Sequence, residues 1–208
     1  MAQGLEPLPS SSAVAWVTYG DHVVVARVTS ERRLPIDADE QRAGEGSISR
    51  EVALSVEQVA WSRKGAPVEA PPHLVWAGPA WSFDADGERP LRLANVPRLE
   101  IGHDYLIPIT HIPKGDQTAL LDRWIPLGPA NQLPFDDGVV GRGETVLGAD
   151  GKPFQPDPGR PDATIRDKIW GAGLNEVRLL LDQTGIDPAA ATHMDLPPLS
   201  RYAATQSR

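Results

Sequence analysis

The chain has 208 residues, of which 40% are hydrophobic and 23% charged, with a formal net charge of -8 at pH 7. These proportions are those of a globular chain, not a disordered one. The acidic balance disfavours nucleic acid as the main partner because such binding needs a basic footprint. Cysteine is absent, which excludes disulfides, thiolate metal sites and thiol catalysis.

Glycine (19 residues) and proline (21 residues) are both frequent, which argues against long helices and favours short strands joined by turns. We therefore predict a mainly β fold, with a small five- to six-stranded OB-like barrel in residues 1–145. A proline- and glycine-rich linker over residues 146–161 and a short helical tail over residues 162–208, its end flexible, complete the predicted organisation.

The first strand is predicted from His22 to Thr29, where β-branched residues are dense. The preceding segment, 12–19, fits either a helical turn or a strand, and residues 32–46 are polar and predict a loop. A second strand, 47–61, changes phase near Gln58: apolar residues occupy even positions before it and odd positions, Val59 and Trp61, after it. Such a change requires a bulge or strong coiling.

Shorter strands follow. Residues 74–76 and 80–83 predict a strand pair interrupted at Gly78-Pro79, and residues 84–87 predict a turn. Residues 104–112 predict a strand at an edge or a bulge, because Pro108 cannot donate to a ladder. Residues 120–126 are a fifth candidate strand, and residues 139–140 a short sixth.

The helix of the predicted tail begins at Asn175, carries Glu176 in its first turn and stops at Gly185. Its apolar stripe consists of Val177, Leu180 and Leu181. A single helix of about ten residues is not stable alone, so it must pack on its own barrel or on a partner.

Two surfaces are candidates for binding. One is this apolar stripe of the tail helix, and the other is the loop that carries Trp76 and Trp81, since aromatic side chains on a barrel face serve as contact platforms. Together they favour a non-catalytic binding or interaction module whose partner is another protein or a second copy of the chain.

An enzyme is the alternative hypothesis, with carboxylate and histidine chemistry assigned to Asp136, Asp137, His111 and Glu144. The chain has neither a G-x-S-x-G nor an H-E-x-x-H motif, and His103 and Asp104 are adjacent on a strand and so point to opposite faces. A third hypothesis, a nucleic-acid-binding OB barrel, is disfavoured because the second strand carries glutamates and lacks a basic face.

Metal and cofactor signals are weak. The acidic turns at Asp84 and Asp86, and at Asp136 and Asp137, could begin a calcium loop, but neither has the full ligand spacing. The glycines of residues 138–144 lack the lysine of a phosphate loop and instead predict a twisted turn. We therefore predict no metal and no cofactor.

The location of the protein is predicted to be cytoplasmic. The N-terminal residues 1–21 lack the basic and apolar regions of a signal peptide. No apolar run approaches the roughly 20 residues needed to span a bilayer, so we expect no membrane partner.

Two resemblances add to this interpretation. The strand GDHVVVARVTS, the strand SREVALSVEQVAW with its turn KGAP, and the segment IGHDYLIPI resemble netrin-like modules, the OB-type barrels shared with tissue inhibitors of metalloproteinases. The similarity covers residues 20–112 and implies a five-stranded barrel, but the disulfide cysteines of that family and its zinc-ligating N-terminal cysteine are missing, so protease inhibition is not implied. The composition and the run WIPLGPANQLPFDDGVVGRGE also resemble actinobacterial proteins that have no assigned activity.

Overall fold

A computed structural model describes residues 8–117 and 119–206. The start of the segment considered for a signal peptide, and the last two residues of the predicted tail, lie outside these ranges. The strands are β1 (His22–Arg33), β2 (Gly46–Ser62), β3 (His73–Asp84), β4 (Gly87–Pro90), β5 (Asp104–Ile112), β6 (Arg123–Pro126) and β7 (Leu133–Pro134). The helices are α1 (Ala13–Tyr19), α2 (Ala38–Ala43), α3 (Ile165–Ile169), α4 (Leu174–Gln183) and α5 (Pro198–Gln206), with 3-10 turns at Pro129–Asn131, Asp136–Gly138 and Pro188–His193.

The seven strands form one antiparallel sheet in the order β4-β3-β2-β1-β5-β6, and β7 pairs with β5 beside β6. Strands β4 and β6 stand at opposite ends of this order. The mainly β prediction is confirmed, but the sheet is open and the predicted closed barrel is not confirmed.

Strand β1 shows why the sheet differs from the predicted small barrel, because its apolar residues are consecutive along the chain. Val23 and Val25 belong to a core shared with the helices, whereas Val24 and Ala26 belong to a second core on the opposite face. A strand buried on both faces reads as a continuous apolar run, and one face here is covered by helices. The small barrel of the prediction would bury only its inner face.

The predicted change of phase in β2 corresponds to two register shifts against β1. Val25 pairs with Gln58 and Ala26 with Val56, and farther along, Val24 pairs with Val59 and Val23 with Trp61. One shift was expected near Gln58, but the second places Val59 and Trp61 on opposite faces. The sequence-based placement of both on one face is therefore wrong.

Strand β3 is one continuous strand, where a pair of strands interrupted at Gly78-Pro79 was predicted. Its pairing with β2 also contains a register shift. Trp76 pairs with Val52 and Trp81 pairs with Ile48, with a register shift between Ile48 and Ser49. Ile48 and Val52 are four residues apart and face the same side, so both tryptophans face that side as well.

Of the two predicted positions for β5, an edge or a bulge, the edge is wrong, because the strand lies between β1 and β6. The carbonyl of Pro108 accepts from Leu127 on the β6 side, so its ring nitrogen also faces that side. The pairings with β7 at Leu106 and with β6 at Ile109 stop on either side of the proline. The missing N–H therefore falls between two short strands and breaks no ladder bond.

The C-terminal helices pack on the sheet. In α4, Val177 and Leu181 are each 1% exposed and lie in the helix-side core, and Leu180 packs partly against it. The helix was predicted to pack either on its own domain or on a partner. In the structure it packs on its own sheet, so Val177 and Leu181 are not available as surface contacts. The helix begins after Gly173, whose N–H donates to Glu176 at 2.7 Å.

The predicted linker, residues 146–161, also contacts the rest of the chain. Val146 is buried, and the Phe154 ring lies against Trp170, with ring centroids 4.8 Å apart. Thr164 and Asp167 form a capping box that starts α3. Residues 198–206, part of the tail end that was predicted to be flexible, form α5.

Candidate ligand pocket

A pocket of about 280 Å³ opens beside the face of β2 and β3 that carries both tryptophans. Its walls come from the two strands, from the loop of residues 91–99, and from residues 144–147. The apolar lining consists mainly of Val52, Trp76, Leu91, Leu93, Val96 and Leu147. A concave, mostly apolar site with a few polar groups is the usual form of a small-molecule site.

The carboxylate of Glu144 holds the loop in place. It is 5% exposed and accepts hydrogen bonds from the backbone N–H groups of Arg98 and Leu99. Its third donor is the hydroxyl of Tyr105, at 2.7 Å. Burial and the adjacent carboxylate both raise the pKa of the Tyr105 phenol, so it stays protonated and remains a donor.

Arg50 holds the same loop from the sheet side. Its guanidinium is buried, forms an ion pair with Glu31, and donates to the carbonyls of Arg98 and Leu99. A buried cation is stable only when its donors are satisfied, and here the loop backbone satisfies them. Glu144 and Arg50 thus bind the N–H and C=O groups of the same two residues.

The loop itself has an uncommon backbone conformation. Asn95 and Leu99 both have φ of 63°, in the left-handed region. A left-handed leucine costs roughly 1–2 kcal/mol, and strain of this kind persists only where the surroundings impose it. The contacts of Glu144 and Arg50 to Leu99 supply that constraint.

Two buried polar atoms on pocket-lining residues have no hydrogen-bond partner in the described part of the chain. They are the indole Nε1 of Trp76, a donor, and the amide Oε1 of Gln132, an acceptor. Leaving such a group unpaired costs about 1–3 kcal/mol.

Trp81 lies at the margin of this region, between two cations. The guanidinium carbons of Arg33 and Arg98 lie 5.5 and 5.1 Å from its ring centroid. Arg98 also donates to the carbonyl of Ala80 at 3.0 Å. Trp76 therefore lines the pocket, whereas Trp81 supports the loop that closes it.

The residues of the enzyme hypothesis are not brought together. Glu144 is occupied by the loop backbone, and Asp137 lies 3.9 Å from Arg142 at the surface. His111 is at the far end of β5, with its ring 5.2 Å from that of Trp124.

Asp136 has a different partner from those predicted. It lies 2.6 Å from Nδ1 of His103 and accepts from the backbone N–H of Asp104 at 2.9 Å. As expected, His103 and Asp104 do not pair with each other, and the Asp104 carboxylate instead binds Arg27 at 2.8 Å. This pairing of His103 with Asp136 was not predicted.

The weak metal candidates serve local structure. Asp84 and Asp86 both lie near Arg89 in the β3–β4 turn. Within residues 8–117 and 119–206, no three His, Asp or Glu side chains are grouped so that they could hold a metal ion. In the same residues, every helix is too short or too polar to cross a bilayer.

Arg50 was not predicted as a site residue, and Glu144 was predicted in a different role, as a catalytic carboxylate. A signal for Arg50 was present, since it occupies an even position of β2 between the core residues Ile48 and Val52. A charged residue in the buried phase of a strand needs a specific partner. For Glu144 there was no such signal, because its donors, two backbone N–H groups and the Tyr105 hydroxyl, are 39 or more residues away in the chain.

Neither a protein-family model nor a curated protein nor a solved structure matches this chain. The resemblances to netrin-like modules and to actinobacterial proteins stay predictions. The geometry of the chain's own residues therefore carries the functional argument.

Proposed function

We propose that the protein is a non-catalytic binding module, and that its ligand is a small, mainly apolar molecule held in the pocket beside Trp76. The observation that carries the proposal is the pairing of this pocket with an unpartnered donor and an unpartnered acceptor on its lining residues, Trp76 and Gln132. The ligand class that fits is a neutral molecule with one acceptor and one donor, such as an amide or an alcohol.

The site is also preorganised. Glu144 and Arg50 fix the loop before any ligand arrives, so little ordering remains to be done on binding. Preorganisation raises affinity by lowering the entropic cost of association. Both charged groups are bound to protein partners, so they shape the pocket and do not recognise a charged ligand.

Catalysis is a weaker hypothesis on the same geometry. The hydrogen bond to Asp136 raises the pKa of His103, and the carboxyl pKa of Asp136 is lowered. These shifts favour the charged pair, whereas a general base must be a neutral imidazole at working pH. The pair is better suited to fixing the start of β5 than to abstracting a proton.

The binding test uses N-phenyl-1-naphthylamine, a neutral fluorescent probe with a single N–H donor. We expect saturable fluorescence enhancement with the full chain. The blocking variant is Gly78→Leu: Gly78 pairs with Arg50 and faces the pocket, and a Cβ there meets nothing within 4 Å. We expect this variant to fold and to lose at least tenfold in probe affinity.

The matched control is Val75→Phe, which adds bulk to the same strand on its exposed side. It should bind the probe like the wild type. Equal affinity in Gly78→Leu and the wild type would refute the proposal, because the probe would then lie elsewhere.

A third variant, Trp76→Phe, keeps an aromatic ring in the pocket but removes the indole N–H donor. The free energy of unfolding should change by less than about 1 kcal/mol, since no hydrogen bond of the free protein is lost.

A further inference from the structure

A second pocket of about 280 Å³ lies at the start of α5 and shares no lining residue with the first. Arg201 of α5 lines it and is 2% exposed. Its guanidinium donates to three backbone carbonyls, those of Thr18, Met194 and Leu196. Its Nε has no partner in the described part of the chain.

A second buried arginine lines the same pocket. Arg63 donates to Asp21 at 2.6 Å, and its Nε is likewise without a partner among the described residues. The other oxygen of Asp21 accepts from the Thr110 hydroxyl at 3.0 Å and the His111 N–H at 2.9 Å. Asp21 therefore neutralises Arg63 and has little capacity left for Arg201.

The buried charges lining this pocket leave a surplus of one positive charge. Arg63 and Arg201 carry two, Asp21 removes one, and the fourth charged residue of the lining, Asp195, is exposed to solvent. Asp116 lies nearby, but its oxygens accept from the first N–H groups of α5. Burial, with the charge of Arg63 next, lowers the pKa of Arg201 to about 10, so it is still a cation at neutral pH.

Apart from His111, which also lines the pocket, the remaining walls are mostly apolar. They are formed mainly by Pro67, Val68, Pro113, Leu196 and Pro198. A site lined by two guanidinium groups and several prolines fits a ligand with a charged head and an apolar body. The planar guanidinium matches a carboxylate in geometry, and the single surplus charge matches a monoanion.

We propose that this second pocket binds a small monocarboxylate with an apolar body, recognised by Arg201 and Arg63. The proposal is independent of the ligand of the first pocket. The two buried guanidinium groups carry one positive charge that Asp21 does not neutralise, and a carboxylate in the pocket would neutralise it.

The test measures binding of benzoate to the full chain by titration calorimetry and by thermal unfolding, at constant ionic strength with chloride as the balancing anion. Benzamide, which has the same shape without the charge, and inorganic phosphate are titrated in parallel. We expect saturable binding of benzoate at millimolar concentration or below, and at least tenfold weaker binding of benzamide and phosphate.

Two conservative variants locate the site. Arg201→Lys and Arg63→Lys keep the charge but lose the planar guanidinium, and each should weaken benzoate binding at least tenfold. If Arg201→Lys does not fold, Arg63→Lys decides. Arg89→Lys, at an exposed arginine of β4, and Gly78→Leu, in the first pocket, should leave benzoate binding unchanged.

Three results would overturn the proposal. Equal binding of benzoate and benzamide would show an apolar cavity without anion recognition. Tighter binding of phosphate than of benzoate would refute the ligand class. Unchanged benzoate affinity in both lysine variants, or no saturable binding by the wild type, would show that the two arginines serve only the structure, Arg201 by binding the backbone of residues 194–196 and Arg63 by pairing with Asp21.

Discussion

Replacing Glu144 by glutamine should loosen the loop that forms the first pocket. The carboxylate accepts three hydrogen bonds, one at Oε1 from Arg98 and two at Oε2 from Leu99 and Tyr105. A glutamine has only one oxygen, so its NH₂ group must face at least one donor. The better orientation keeps the two bonds to Leu99 and Tyr105 and loses the one to Arg98.

The expected cost follows from these bonds. A hydrogen bond to a charged group contributes roughly 1.5–3 kcal/mol, and a neutral one about 1 kcal/mol. Losing one charged bond and weakening two others gives about 3–5 kcal/mol for Glu144→Gln. In a domain of this size, 1 kcal/mol corresponds to roughly 2–4 °C, so the melting temperature should fall by about 6 °C or more.

The measurement is urea and thermal unfolding of the variant, together with titration of N-phenyl-1-naphthylamine. The control is Glu69→Gln, at an exposed glutamate, which should change the unfolding free energy by less than about 0.5 kcal/mol. Because the loop forms one wall of the pocket, the affinity for the probe should fall as well. A loss below about 1 kcal/mol with unchanged probe binding would refute the role given to Glu144.

Three further results are expected. Gly141→Ala should lower the free energy of unfolding by about 2–4 kcal/mol, since φ is +89° and the added Cβ would lie 2.3 Å from the ring of Trp170. Gly138→Ala, with φ of +73° and nothing near the added Cβ, should lower it by only about 1–2 kcal/mol. Equal losses in the two variants would contradict the steric argument. The pKa of His103 is raised in the folded protein, so its ion pair with Asp136 stabilises the fold fully below the unfolded pKa, near 6.5, and this contribution is lost as pH rises through the folded pKa. The difference in unfolding free energy between the wild type and His103→Gln, about 1 kcal/mol at most for this partly exposed pair, should therefore shrink from pH 6 to pH 9. A difference that stays constant over this range would contradict the argument. Leu181→Ala should cost about 2–5 kcal/mol in chemical unfolding, against less than about 0.5 kcal/mol for the exposed Leu179→Ala, and a small loss at Leu181 would contradict packing of α4 on its own sheet.

The amino-acid sequence predicted the elements whose signals are local. The β-branched run of β1, the bulge near Gln58, the turn at residues 84–87 and the amphipathic α4 all correspond to features of the structure. Tyr105, Ile107 and Ile109 share one face of β5, as strand alternation requires. Each of these depends on residues within a few positions of each other.

Other features were missed because their cause is not local. A second bulge, at Ala60, places Trp61 on the face opposite to Val59, and nothing in the residues of β2 alone indicates it. Closure of the sheet depends on whether its two end strands meet, which short-range periodicity does not determine. The seven-stranded open order was therefore not predicted.

The residues along the chain are sufficient to predict the secondary-structure class, the lack of thiol chemistry and the apolar faces of most strands and of α4. The tertiary structure alone decided which polar groups meet. Glu144 binds the backbone of a loop 45 residues away, and Arg201 of the last helix lies beside Arg63 of the segment after β2. Such groups are brought together by chain folding over long separations, and their chemistry comes from burial and the partners found there, neither of which is encoded in a local pattern.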